Sequence, residues 1–317
     1  MERKHPLPPF KLNALLIPLL LGTACFNQAR AQTYKKTIVE GVEIFYREAG
    51  DPQKPTILLL HGFPSSSHMY RNLIALLAPN YHLIAPDYPG FGRSAKPSPD
   101  AFVYTFDHLA LVMEKFIDQL GLKSLNFYLQ DYGGPIGFRI IKNRPELVSS
   151  IIIQNANAYL EGLGPDVQKI GALAEANDKK GLEAATSYMM SLEGIREQYV
   201  FGTVHSERIS PDSYYMDHFI FEQPGVKDIQ KVIFKDYSNN FPKYTEWQEY
   251  LRKHQPEVLI TWGKNDKIFP GSGALAYKKD LPNAEIHLFE GGHFLLEEYP
   301  HEVADLIHRF LQKKHGK

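Results

Sequence analysis

The spacing of apolar residues divides the chain into alternating strands and helices. Thr56–Leu60 and His82–Ala85 are short runs with almost no polar member, as expected for strands buried on both faces. Val42–Tyr46 alternates in the manner of an outer strand. Phe106, Leu109, Ala110, Met113, Phe116, Ile117 and Leu120 recur at helical spacing, with Thr105 as an N-cap and Gly121 as a stop. Further strands are predicted at Leu125–Gln130, Ser149–Gln154, Val258–Trp262 and Glu285–Phe289. A last helix carries Val303, Leu306, Ile307, Phe310 and Leu311 on one stripe. This order of elements predicts an α/β fold with a mostly parallel sheet covered by helices on both faces.

The strand rhythm stops between residues 157 and 255, a stretch rich in Tyr, Phe and Met. Roughly 100 residues that leave one sheet and re-enter it predict a helical cap over a site at the strand ends. The core is then 32–156 and 256–317. The first 31 residues form a separate unit. Arg3, Lys4 and Lys11 precede the short apolar run Leu15–Leu21, and Ala29-Arg30-Ala31 is a small-residue cleavage signal. The reading is a signal peptide cut before Gln32, and a periplasmic or secreted protein with no stable membrane span. Cys25 is the single cysteine of the chain and lies in this leader. Gly22-Thr23-Ala24-Cys25 loosely resembles a lipoprotein box, which leaves a lipid anchor at Cys25 as the alternative. A mature chain without thiols has no disulfide and no cysteine nucleophile. The net charge of −1 gives no reason to expect a nucleic-acid partner.

Candidate chemistry sits at predicted strand ends, where open α/β sheets bind ligands. Leu129-Gln130-Asp131-Tyr132-Gly133-Gly134 turns from a strand into a helix-like stretch. A residue on such a sharp turn is presented as a nucleophile. Here that residue is Asp131, a carboxylate that attacks saturated carbon without prior deprotonation. Asp266 follows one later strand and His293 the next. The chain order is nucleophile, acid, histidine. His61-Gly62-Phe63-Pro64 follows Thr56–Leu60, so the backbone N–H groups of Phe63 and Tyr132 are candidates for an oxyanion hole. Phe63-Pro64 is a candidate cis peptide, and His61 is read as structural. Asp87–Ser94 is glycine-rich but lacks the ending of a phosphate loop. No His/Asp cluster has metal spacing, so neither metal nor other cofactor is expected.

These motifs resemble the epoxide hydrolase and haloalkane dehalogenase branch of the α/β-hydrolases, from about residue 36 to 313. The resemblance implies that Asp131 forms an alkyl ester, and that His293, held by Asp266, activates the water that cleaves it. The implied substrate is a small apolar organic molecule, with water as the second reactant. In the family, dehalogenases grip the departing halide with indole N–H donors, whereas Tyr132 and Phe63 occupy those main-body positions here. Family epoxide hydrolases open the ring with cap tyrosines. Lys235-Asp236-Tyr237-Ser238-Asn239 resembles the motif that carries one of them, about 30 residues before the acid, although it lacks that motif's Trp and Arg. Tyr188 is a looser match for the second, with Tyr159, Tyr199, Tyr214 and Tyr215 as rivals. Met189 and Met190 are expected to line an apolar pocket, and His205 and His218 to lie on the surface. Epoxide hydrolysis is therefore the first reading and haloalkane dehalogenation the alternative. Dehalogenation of haloacids ranks third, because Arg139 is too far round its helix to hold a carboxylate. A binding protein on a hydrolase fold is the non-enzymatic alternative.

Overall fold

The computed structural model describes residue 1 and residues 31–315. The leader read over residues 1–31, including Cys25, lies outside the described residues apart from its two end positions.

Eight strands form one sheet: β1 (Thr33–Val39), β2 (Val42–Ala49), β3 (Thr56–Leu60), β4 (His82–Pro86), β5 (Leu125–Gln130), β6 (Val148–Gln154), β7 (Val258–Gly263) and β8 (Glu285–Phe289). Their spatial order is β1-β2-β4-β3-β5-β6-β7-β8. β1 and β2 pair antiparallel at one edge, and β4 through β8 run parallel. Every residue of β4, β5 and β7 is buried, so helices cover both faces of the sheet centre. The edge strand β1 was not anticipated. Its side chains are mostly exposed and include Lys35 and Lys36, so they carry no apolar alternation. It forms because Glu40 and Gly41 both take positive φ, +50° and +79°. That is the backbone of a tight two-residue hairpin, which folds β1 onto β2.

Three helices follow the early strands: α1 (Arg71–Leu77), α2 (Phe106–Gln119) and α3 (Gly133–Asn143). The Thr105 hydroxyl accepts the His108 N–H at 3.2 Å, which caps α2, and Gly121 ends it at φ +66°. Between β6 and β7 the chain leaves the sheet for α4 (Pro165–Glu175), α5 (Lys179–Met189), α6 (Leu192–Val200), α7 (Pro211–Phe221), α8 (Val226–Asp236) and α9 (Tyr244–His254). Short helices α10 (Ser272–Ala276) and α11 (Leu295–Glu298) lead to the terminal α12 (Pro300–His315). The helical segment is fastened to the body by buried polar bonds. Asp217 of α7 accepts from Tyr199 of α6 at 2.5 Å and from Ser65 at 3.3 Å. Tyr199 also stacks on Phe294, with ring centroids 3.8 Å apart. Among the described residues no helix is long and apolar enough to cross a membrane.

Candidate active site

Asp131 directly follows β5 at φ +49°, a left-handed conformation that costs an ordinary residue about 1 kcal/mol or more. The turn holds because Gly134 N–H donates to the Asp131 carbonyl at 2.8 Å and Gly133 lies against β3. A Cβ on Gly133 would run into the Leu60 carbonyl. Strand and helix thus meet too closely for any side chain, and the carboxylate is thrust off the sheet. Gly62 faces it from the loop after β3, and a Cβ there would overlap the Asp131 side chain. Next in that loop, Phe63 N–H donates to Asp131 Oδ1 at 2.6 Å, and Phe63-Pro64 is cis. The Tyr132 N–H is the second backbone donor to the carboxylate.

His293 stands 3.8 Å from Asp131, Nε2 to Oδ2, too long for a direct hydrogen bond. Its Nδ1 lies 2.7 Å from Asp266 Oδ2. Asp266 is held in turn by the Ile268 N–H at 2.7 Å and the Asn155 side-chain amide at 2.8 Å. Asn155, at φ +42°, also takes the Asp131 N–H on its carbonyl at 3.3 Å, so one residue ties the elbow to the acid loop. The Gln130 amide nitrogen is 3.0 Å from His293 Nε2. With Nδ1–H committed to Asp266, Nε2 is left facing Asp131 and the Gln130 amide. Gln130 and Asn155 were not singled out from the sequence. Amides at strand ends are common, and only the paired sheet brings these two to the histidine.

Burial pushes the Asp131 carboxyl up to about 6, against the lowering pull of His293 and of the Phe63 and Tyr132 N–H groups. Burial pulls the His293 imidazole down, but the charge and hydrogen bond of Asp266 and the charge of Asp131 outweigh it, leaving a net rise. His61 is structural: burial lowers it to about 4, its ring stacks on Tyr88, and its Nε2 accepts the Tyr88 N–H at 3.3 Å.

Asp131 opens onto a small, mostly apolar cavity whose wall includes Phe63, Tyr132, Met189, Gln198, Phe234 and Tyr237. Among the tyrosines weighed as acids, Tyr237 alone lines it. Its hydroxyl is buried beside Tyr132 and shares a hydrogen bond with the Tyr244 hydroxyl. Tyr188 is a correction. The register of α5 turns it outward, 47% exposed, and its hydroxyl donates to Glu197 at 2.9 Å. Tyr159 and Tyr199 spend their hydroxyls on Asp280 and Asp217. Trp247 packs on Phe138, and Trp262 Nε1–H donates to the Phe269 carbonyl, so neither indole reaches the cavity. Arg139 pairs with Asp107 and Asn240, away from the site. His205 and His218 pair with Glu207 and Glu222 at the surface. Among the described residues no group of three or more His, Cys, Asp or Glu is placed to hold a metal.

Comparison with known proteins agrees with this architecture. A family model described as the alpha/beta hydrolase fold matches residues 55–300. An uncharacterized hydrolase of Saccharomyces cerevisiae is 39% identical over 282 residues, covering 87% of this chain and 96% of its own. A haloalkane dehalogenase of Psychrobacter cryohalolentis is 26% identical over 292 residues, covering 85% and 88%. The solved structure of the epoxide hydrolase CorEH matches with TM-score 0.71 at 22% identity, over 89% of this chain and 99% of that one. At that identity the likeness speaks for the fold.

Proposed function

The chain belongs to the α/β-hydrolase fold family and is a hydrolase; within that family we propose that it opens epoxides to diols through a covalent ester on Asp131. The observation that carries this reading is the carboxylate itself. Asp131 occupies the elbow, with Oδ1 held by the Phe63 N–H at 2.6 Å and Oδ2 on the His293 side. Oδ2 attacks an epoxide carbon, the C–O bond breaks, and the alkoxide takes a proton from the Tyr237 hydroxyl. His293 then removes a proton from water, whose oxygen attacks the ester carbonyl of Asp131. The Oδ1 oxyanion develops against the Phe63 and Tyr132 N–H groups, and losing one such donor costs about 3 kcal/mol. Collapse releases the diol and restores the carboxylate, and the proton on His293 returns to Tyr237 by way of solvent. The helices between β6 and β7 act as the cap that excludes bulk water.

Haloalkane dehalogenation is the second reading, favoured by the relatives and opposed by the lack of an indole donor on the cavity wall. Tyr237→Phe separates the two. It is expected to slow epoxide opening by about 100-fold or more and to leave alkyl halides nearly untouched. Equal loss on both substrates in steady-state assays would reduce Tyr237 to a packing residue.

The two steps are expected to have different pH dependences. Ester formation needs ionised Asp131, so its rate rises with pH through about 6 and then levels. Ester hydrolysis needs neutral His293; once Asp131 is esterified, burial still lowers the imidazole and only the charge and hydrogen bond of Asp266 oppose it. Stopped-flow measurement should find the acid limb of ester formation near pH 6. A rate of ester formation that stays flat through pH 6 would contradict the assignment.

A further inference from the structure

The cavity in front of Asp131 shares Val167, Ile170, Met189, Gln198 and Ile268 with a second, outer cleft of about 1000 Å³ of open space. Lys169, Tyr188, Glu197 and Lys267 line the outer side, and Tyr188 and Lys267 both bond Glu197. The shared wall is therefore the partition between solvent and the site. Four of its five residues are apolar. The fifth, Gln198 on α6, is 5% exposed, and its amide is only half used. The Nε2–H groups donate to the carbonyls of Met189 and Gly194, both at 3.3 Å, while Oε1 is buried without a partner. A buried acceptor left unsatisfied is costly, and among the described buried polar side-chain atoms without a partner, those on the wall of the Asp131 cavity are Gln198 Oε1 and the Tyr132 hydroxyl.

We propose that Gln198 Oε1 is a specificity acceptor, taking a hydrogen bond from a donor on the end of the substrate that trails away from Asp131. The substrate class is then an epoxide with a hydroxyl remote from the ring, rather than a purely hydrocarbon one. This rests on the reading of Asp131 as the attacking group. No other side chain of the partition can supply that donor. The residues around Gln198 on the partition offer only carbon and sulfur, and a site built to accept from a hydroxyl discriminates against the analogue lacking it.

The test uses ligands that do not react and substrates that do. Asp131→Asn is titrated calorimetrically with 1-hexanol and with its isomer methyl pentyl ether, which has no donor. The alcohol is expected to bind at least about tenfold tighter, at about the cost of one unsatisfied acceptor. Adding Gln198→Met should erase the preference by weakening the alcohol alone. A preference that survives Gln198→Met, or no preference while Gln198 is in place, overturns the proposal. Should Gln198→Met not fold, the unmodified enzyme decides through kcat/KM for 5,6-epoxyhexan-1-ol against 1,2-epoxyheptane. A tenfold preference for the epoxy alcohol is expected, and equal turnover sinks the role of Gln198 while leaving the epoxide reading intact. Turnover of neither epoxide, with the binding preference present, sinks the epoxide reading and leaves Gln198 standing.

Discussion

His293→Gln is expected to stop turnover while leaving the first chemical step running. Asp131 attacks as an anion and needs no base, so the ester still forms. Its hydrolysis requires a proton acceptor beside the Asp131 carbonyl, and His293 Nε2, 3.8 Å from Oδ2, is the group placed there. Removing a general base costs about 10²- to 10⁴-fold. The loss here falls on one step, so the enzyme becomes trapped as its ester. Intact-mass spectrometry after exposure to an epoxide should find one added substrate mass per chain. An unmodified His293→Gln protein would mean that the histidine serves the first step, or that no ester exists.

Asp131→Asn is expected to abolish both steps and at the same time to stabilise the fold. Loss of a nucleophile typically removes on the order of 10⁴- to 10⁶-fold in rate. Burial raises the folded-state pKa of Asp131 from 3.8 to about 6. The ionised carboxylate therefore opposes folding, a cost absent below pH 3.8 and fully present above about 6. At about 1.4 kcal/mol per unit, the neutral amide recovers up to about 3 kcal/mol at pH 7 and almost nothing near pH 4. Thermal or urea melts at the two pH values check this. A gain over the parent no larger at pH 7 than at pH 4 would mean that the ionised carboxylate carries no net cost in the fold.

The rigid part of the site was legible in the sequence and the rest was not, for a physical reason. Asp131, Asp266 and His293 follow apolar runs that are strands by pattern alone, and a parallel sheet brings its strand ends together. The same logic located Phe63 and Tyr132. Helical periodicity in residues 157–255, by contrast, leaves the register open, and rotating α5 by one residue moves a side chain 100° around the axis. Tyr188 was lost on that account, whereas Tyr237, in the turn after α8, reached the cavity. Gln198 is a polar residue on an ordinary amphipathic helix, and nothing local marks it as facing the cavity. β1 was missed because its stability comes from pairing with β2 and not from its own side chains.

The central claim is that water attacks the enzyme and not the epoxide. A single turnover in H₂¹⁸O, with enzyme in excess over epoxide, tests it directly by mass spectrometry of the diol and of the peptide containing Asp131. The account predicts an unlabelled diol, whose new oxygen comes from Asp131, and a peptide heavier by one ¹⁸O. A labelled diol with an unlabelled peptide would contradict it, making Asp131 a base or an electrostatic aid to direct attack by water.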